Sequence, residues 1–221
     1  MQIAILLYDG FTPLDVVGPY EVLARTPGVT VSCVASDVGP VETDAGLSIV
    51  ADTPLRALQK PEIVVVPGGL GAGSAASDRE VIGWITSAHA NTTWTTSVCT
   101  GALILGAAGL LRGVRATTHW NHVHRLEAYG AIPTEQRVVR DGKIVTAAGV
   151  SAGIDMGLQL VQILKGDVVA QAVQLSMEYD PHPPFDSGAP AKAAPDIVEF
   201  VRSATRTASE AWRGMSNRVH R

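Results

Sequence analysis

The stretch Thr95-Thr96-Ser97-Val98-Cys99-Thr100-Gly101-Ala102-Leu103-Ile104-Leu105-Gly106 reads as a strand, a sharp turn and a helix, with a thiol at the apex. β-Branched residues before the cysteine favour a strand. The alanine- and leucine-rich run after it favours a helix. A helix N-terminus lowers a thiol's pKa and so promotes the nucleophilic thiolate. The turn also predicts an accessible side chain, as in a nucleophile elbow. A buried, inert thiol is the plainer reading of a free cysteine, but the elbow pattern argues for reactivity. Cys33, inside the run Val31 to Val34, has no such context and is expected in the core.

Outward from this segment, short apolar runs alternate with helical patterns. Gln2 to Tyr8, Val29 to Ala35, Ile63 to Val66 and Thr92 to Val98 read as strands. Asp15 to Ala24, Asp78 to Ala90, Thr100 to Leu110, Asn121 to Tyr129, Ala152 to Leu164 and Asp167 to Met177 read as helices. Val41 to Val50 is an extended excursion or hairpin with the turn Asp44-Ala45-Gly46, and Asp141-Gly142 signals a second hairpin between Arg137 to Arg140 and Lys143 to Ala147. Pro181 to Pro195 reads as a surface loop, Ile197 to Trp212 as an amphipathic helix, and Gly214 to Arg221 as a frayed end. The pattern is α/β: a mostly parallel sheet covered by helices on both faces. Ligand sites in such sheets lie beyond the carboxyl ends of the strands. Three strand ends, Tyr8-Asp9-Gly10, Pro67-Gly68-Gly69 and Cys99-Thr100, are expected to meet at one edge.

Bulk properties narrow the partners. The 221 residues are 46% hydrophobic, and the net charge of −4 gives no reason to expect nucleic acid or an anionic membrane. Two cysteines form no disulfide framework and fit a reducing compartment, so a cytoplasmic protein is expected. The glycines at 68, 69, 71 and 73 lack the lysine of a phosphate loop and the spacing of a dinucleotide fingerprint. No histidine has zinc-ligand spacing with supporting ligands, so no metal and no cofactor are expected.

Around Cys99 the candidates are few. Asp15, in Phe11-Thr12-Pro13-Leu14-Asp15, is by itself a helix-cap or first-turn carboxylate. Held against the thiol in a low-dielectric cleft it would have a raised pKa and serve as general acid and then base. Gly68 and Gly69 offer backbone N–H groups for developing negative charge, with the Thr100 N–H as second donor and its hydroxyl available to substrate or Asp15. His119, beside Trp120, invites a cysteine–histidine reading, with helix capping as the plainer one. Asp155 reads as a buried carboxylate that caps or tethers a loop.

At these residues the sequence resembles the ThiJ/PfpI superfamily, the class I glutamine amidotransferase-like group, over about the first 180 residues. The matching stretches are Asp9 to Leu23, Val66 to Gly69, Ser97 to Gly101, Ala116 to Trp120, Gly149 to Asp155 and Gln174 to Pro181. Within the superfamily the match is to the isocyanide hydratases. The resemblance implies a flavodoxin-like three-layer sandwich, a homodimer, Cys99 as nucleophile and Asp15 as its acidic partner. It gives one domain over residues 1–180, with 181–221 a surface loop and C-terminal helix packed on or extending from it. Peptidase-like relatives carry histidine directly after the nucleophile; here that residue is Thr100, as in the hydratases. The substrate implied is a small isocyanide or a related electrophile. A redox or electrophile sensor and a glyoxalase-type enzyme remain as alternatives. Some transcription regulators join the same domain to a helix-turn-helix domain of about a hundred residues, and the stretch after Tyr179 shows no basic recognition helix.

Overall fold

Dense β-branched runs become the strands expected of them, and each is followed by a turn that returns the chain across the sheet. The computed structural model describes residues 1–219. In chain order the strands are β1 (Gln2–Leu6), β2 (Thr30–Ala35), β3 (Gly39–Glu42), β4 (Ser48–Ala51), β5 (Thr53–Pro54), β6 (Ile63–Val66), β7 (Trp94–Val98), β8 (Arg115–Ala116), β9 (Ile132–Pro133), β10 (Val138–Asp141) and β11 (Ile144–Ala147). The helices are α1 (Pro13–Ala24), α2 (Ala72–Ala75), α3 (Arg79–Asn91), α4 (Gly101–Ala107), α5 (Ala152–Lys165), α6 (Asp167–Ser176) and α7 (Pro195–Val219).

Among the described residues seven strands form one sheet in the order β10-β11-β7-β6-β1-β2-β5, with β3-β4 and β8-β9 as separate ribbons. Every pairing in the large sheet is parallel except the β10–β11 hairpin. Parallel strands need both faces covered, because their side chains are apolar on each side. Gly153 of α5 lies against Val98. Thr95, three residues earlier and so on the opposite face, bonds His89 of α3 at 2.8 Å. The core strands are sealed accordingly: Ile3, Ile5, Leu6, Ile63, Val65 and Val66 have no solvent exposure. Strand order reverses beside β1, so the switch point lies between β1 and β6. The carboxyl ends of β1, β6 and β7 therefore open on the crevice where ligands bind in such sheets.

Some elements differ from the sequence reading. Trp120–Tyr129 is a 3-10 helix rather than an α-helix. Its histidines, asparagine and valine are poor α formers, and the His122 N–H bonds the carbonyl of His119, three residues back. The helix after Cys99 stops at Ala107, short of Leu110, because the chain turns at Gly109 with φ +76°. The chain divides into a unit over Met1–Met177 and a second beginning at Glu178. The second unit carries the Pro-rich stretch 181–194 and then α7, which runs longer than expected. Gly214 to Val219 continue that helix instead of fraying, and the last two residues of the expected frayed end lie outside the described ones.

Gly101 shows how tightly the crevice loops are packed. A Cβ there would lie 2.1 Å from the Val66 carbonyl oxygen. Gly101→Ala should therefore lower stability by about 1–3 kcal/mol or more, as overpacking against backbone does. Gly83, exposed within α3 with nothing within 4 Å of its Cβ position, is the control: Gly83→Ala should add about 0.5–1 kcal/mol. Urea unfolding midpoints of the two variants check both signs.

Candidate active site

The chain leaves β7 at Val98 and turns within one residue. Cys99 takes φ +54°, a left-handed backbone conformation that it shares, among described non-glycine residues, only with Glu178. Such a conformation costs an L-residue about 1–2 kcal/mol and persists only where neighbours hold it. Here the Cys99 N–H donates to the carbonyls of Ala147 and Ala148 at 3.1 and 2.8 Å. The Cys99 carbonyl accepts the Thr118 hydroxyl at 2.7 Å. The elbow is thus clamped from both sides by the β11 end and by the segment before the 3-10 helix.

Two expectations about the thiol are corrected. Its side chain is not open to solvent; Cys99 is 6% exposed. Its pKa is not lowered but pushed well up, first by burial and then by the Asp15 charge. The Thr100 and Val150 N–H groups and the Thr100 hydroxyl oppose this without reversing it. Desolvation of a fully enclosed sulfur outweighs what a short helix terminus supplies. Burial therefore favours the protonated sulfur.

Asp15 is the third residue of α1, behind Pro13 at the start and Thr12 as N-cap. Proline at the first helical position and an acid in the first turn both suit a helix start. Its side chain does not cap the helix. It points into the crevice with 0% exposure, and Oδ2 accepts the Gly68 N–H at 2.8 Å. Oδ1 is buried without a regular hydrogen bond, and the Cys99 side chain lies within interaction range of the carboxyl. Burial raises the Asp15 pKa from 3.8 to about 7; the Gly68 N–H opposes the rise, the Asp44 charge adds to it, and the Cys99 contact opposes it. Both members of the pair are thus driven towards their protonated forms, and the doubly charged state is excluded.

Gly68 and Gly69 are close-approach glycines, but what approaches is protein. A Cβ on Gly68 would lie 2.4 Å from the Thr100 nitrogen and 2.9 Å from Cys99 Cβ. Gly69, at φ +140°, packs as closely on Gly10 and Phe11. The expectation that their N–H groups wait for an oxyanion is corrected: Gly68 donates to Asp15, and Gly69 donates to the Thr100 hydroxyl oxygen at 2.9 Å. That hydroxyl in turn donates to the Gly69 carbonyl at 3.3 Å and makes no hydrogen bond to Asp15. The N–H groups turned towards the sulfur are those of Thr100 and Val150.

His119 caps the 3-10 helix, its Nδ1 accepting the Asn121 N–H at 3.3 Å. Burial lowers its pKa, so the ring is neutral. It lies against Gly149, and no hydrogen bond joins it to Cys99 among the described residues. Asp155 is partly exposed rather than buried and pairs with Arg137, which also donates to the Ser151 hydroxyl at 3.2 Å. Cys33 is buried in β2, where burial raises its pKa to about 11. Tyr8, at a strand end expected to converge here but given no role, donates its hydroxyl to the Pro67 carbonyl at 2.8 Å, and Asp44, read only as a turn residue, brings its charge within reach of Asp15. Sequence reasoning gave no role to Thr118 or Val150 either. Nothing local assigns a role to these four; only the fold brings them to the elbow.

A strained cysteine at a strand–helix elbow, facing a carboxyl from the helix after the first strand of a parallel sheet, defines the glutamine amidotransferase-like class of α/β protein. The chain belongs to the DJ-1/PfpI family, whose profile matches residues 1–163. It is 46% identical over 202 residues to the isonitrile hydratase of Pseudomonas putida, covering 91% of this chain and 89% of that one. A ThiJ/PfpI family protein from Pseudomonas syringae superimposes with a TM-score of 0.91 at 41% identity, covering 95% of this chain and 87% of the other. An HTH-type transcriptional regulator, CdhR of Pseudomonas aeruginosa, is 31% identical over 66% of this chain but only 43% of its own length.

The Asp15 shift has a consequence for stability. A carboxyl whose folded pKa is raised stabilises the fold fully only below its unfolded pKa, and that contribution is lost as pH rises through the folded value. For Asp15 the window runs from about 4 to about 7, and the lost contribution is up to about 4 kcal/mol. Asp15→Asn keeps an acceptor for Gly68 and does not titrate. Chemical denaturation should show its stability advantage over wild type growing from near zero at pH 4 to a plateau above pH 7.

Proposed function

We propose that this protein is an isocyanide hydratase, adding water to R–N≡C to give the formamide R–NH–CHO through a Cys99 thioimidate. The observation that carries this is the buried Cys99–Asp15 pair, both pKa values pushed up by burial, in a chain that matches an isonitrile hydratase over nearly its whole length. An isocyanide is slender, and its terminal carbon takes both a nucleophile and a proton. In the resting pair the sulfur holds the proton and Asp15 is the carboxylate. Asp15 accepts the thiol proton as sulfur bonds to the carbon, then delivers it to that carbon, leaving S–CH=N–R.

Water then adds to the same carbon. Asp15 takes a proton from the water as the hydroxyl attacks and returns it to the nitrogen. Collapse of the S–CH(OH)–NH–R species expels the thiolate, and the hydroxyl proton passes through Asp15 back to sulfur. The balance is one isocyanide and one water consumed, one formamide formed. The Thr100 and Val150 N–H groups stabilise negative charge on the departing sulfur. No amine leaves, so no histidine is needed after the nucleophile. The sensor alternative draws no support from the site, because oxidation favours exposed thiolates and Cys99 is buried with its pKa pushed up.

We further propose a homodimer, on the resemblance and on the exposed apolar side chains Leu14, Val17 and Tyr20 that α1 carries at helical spacing. Light scattering after size exclusion should read twice the chain mass; the chain mass itself would remove the dimer.

Mass-spectrometric detection of formamide tests the chemistry. Wild type should turn over many equivalents of isocyanide, and Cys99→Ala none. Asp15→Asn should lose about 10²–10⁴-fold in kcat. Below about pH 7 Asp15 gains a proton and no base remains for the thiol, so kcat/KM should fall with falling pH through that value. Turnover by Cys99→Ala near the wild-type rate would exclude the covalent route.

A further inference from the structure

Asp44 reads from sequence as one residue of a hairpin turn, but its side chain joins the machinery that holds Asp15. It stands half-buried at the tip of the β3–β4 ribbon, its N–H donating to the Phe11 carbonyl at 3.0 Å. Its Oδ2 accepts the Thr12 hydroxyl at 2.7 Å and the Leu70 N–H at 3.4 Å. Thr12 and Leu70 belong to the two loops between which Asp15 is held. The Thr12 carbonyl accepts the Asp15 N–H at 3.1 Å, and the Thr12 N–H donates to the Gly68 carbonyl at 2.9 Å. The Gly68 N–H completes the circuit on Asp15 Oδ2. Asp44 makes no hydrogen bond to Asp15, yet the two carboxyls share Thr12 as a neighbour.

We propose that Asp44 is a positioning residue for Asp15: it clasps the β1–α1 loop to the β6–α2 loop and places a second negative charge beside the proton-sharing pair. The proposal rests on the reading of Asp15 as the carrier of the Cys99 proton. The groups facing Asp15 are Tyr8 from the end of β1, Cys99 from the elbow and Asp44 from the ribbon. Tyr8 is fully enclosed, its own ionisation pushed well up by burial and by these same charges, so it is neutral. α5 meets α1 with carbon, Ile154 against Gly18. Asp44, whose own pKa burial raises against the Thr12 and Leu70 hydrogen bonds, is therefore the charge that acts on Asp15 from outside the pair. It makes the Asp15 carboxylate more basic and so strengthens its pull on the thiol proton.

Asp44→Asn separates charge from clasp, because the amide oxygen still accepts from Thr12 and Leu70; Asp44→Ala removes both. Carboxyl ¹³C NMR of aspartate-labelled protein, with the Asp15 signal assigned by its loss in Asp15→Asn, reads the titration directly and needs no turnover. The Asp15 midpoint should fall by about half a pH unit or more in Asp44→Asn, as expected for removing one partly screened charge several ångströms away. The acidic limb of kcat/KM should move by the same amount. Asp44→Ala should move the midpoint too and also lower kcat several-fold. An unmoved midpoint in Asp44→Asn overturns the proposal, even if Asp44→Ala is unstable or slow. A midpoint that falls in a protein with no isocyanide turnover upholds Asp44 and removes the hydratase reading instead.

Discussion

The Gly68 N–H to Asp15 hydrogen bond is the contact on which the rest of the crevice depends. A carboxyl with no solvent exposure is costly to hold charged and needs donors. One backbone N–H at 2.8 Å satisfies one oxygen and leaves the other for the thiol. That half-satisfaction keeps the Asp15 pKa near the working range instead of at either extreme. A fully donated carboxylate would stay ionised and hold no proton for the substrate. An undonated one would stay protonated and take none from the thiol.

The backbone geometry follows from that requirement. For Gly68 to reach Asp15 its loop must lie on the elbow, and there is no room at that point for a side chain. Gly101 is needed for the same reason from the other direction, where α4 starts beneath the β6 carbonyls. The Cys99 conformation is then imposed by a strand that ends and a helix that begins within one residue. The strain is held by the Ala147 and Ala148 carbonyls and the Thr118 hydroxyl. Packing this close leaves the thiol enclosed.

Periodicity alone placed the main strands and helices, because β-branched runs and apolar stripes are local properties of the chain. It failed where structure was short or set by contact. β5, β8 and β9 are two-residue strands with no pattern to detect. Trp120–Tyr129 shows a helical stripe, yet its hydrogen bonds follow the tighter 3-10 geometry. Asp44 and Tyr8 lie 29 and 7 residues from Asp15 in sequence and reach it only when the ribbon and the first strand converge on the elbow.

The α/β order, the strand–cysteine–helix elbow, the acid in the first turn of α1 and the threonine in place of histidine after Cys99 are legible in the chain as written. Each is a matter of residue type at fixed spacing. Only packing buries the thiol and pushes its pKa up, engages both glycine N–H groups, and brings a hairpin aspartate near Asp15. Those outcomes depend on which groups exclude water from which, and solvent exclusion is a property of the packed chain that no local stretch carries.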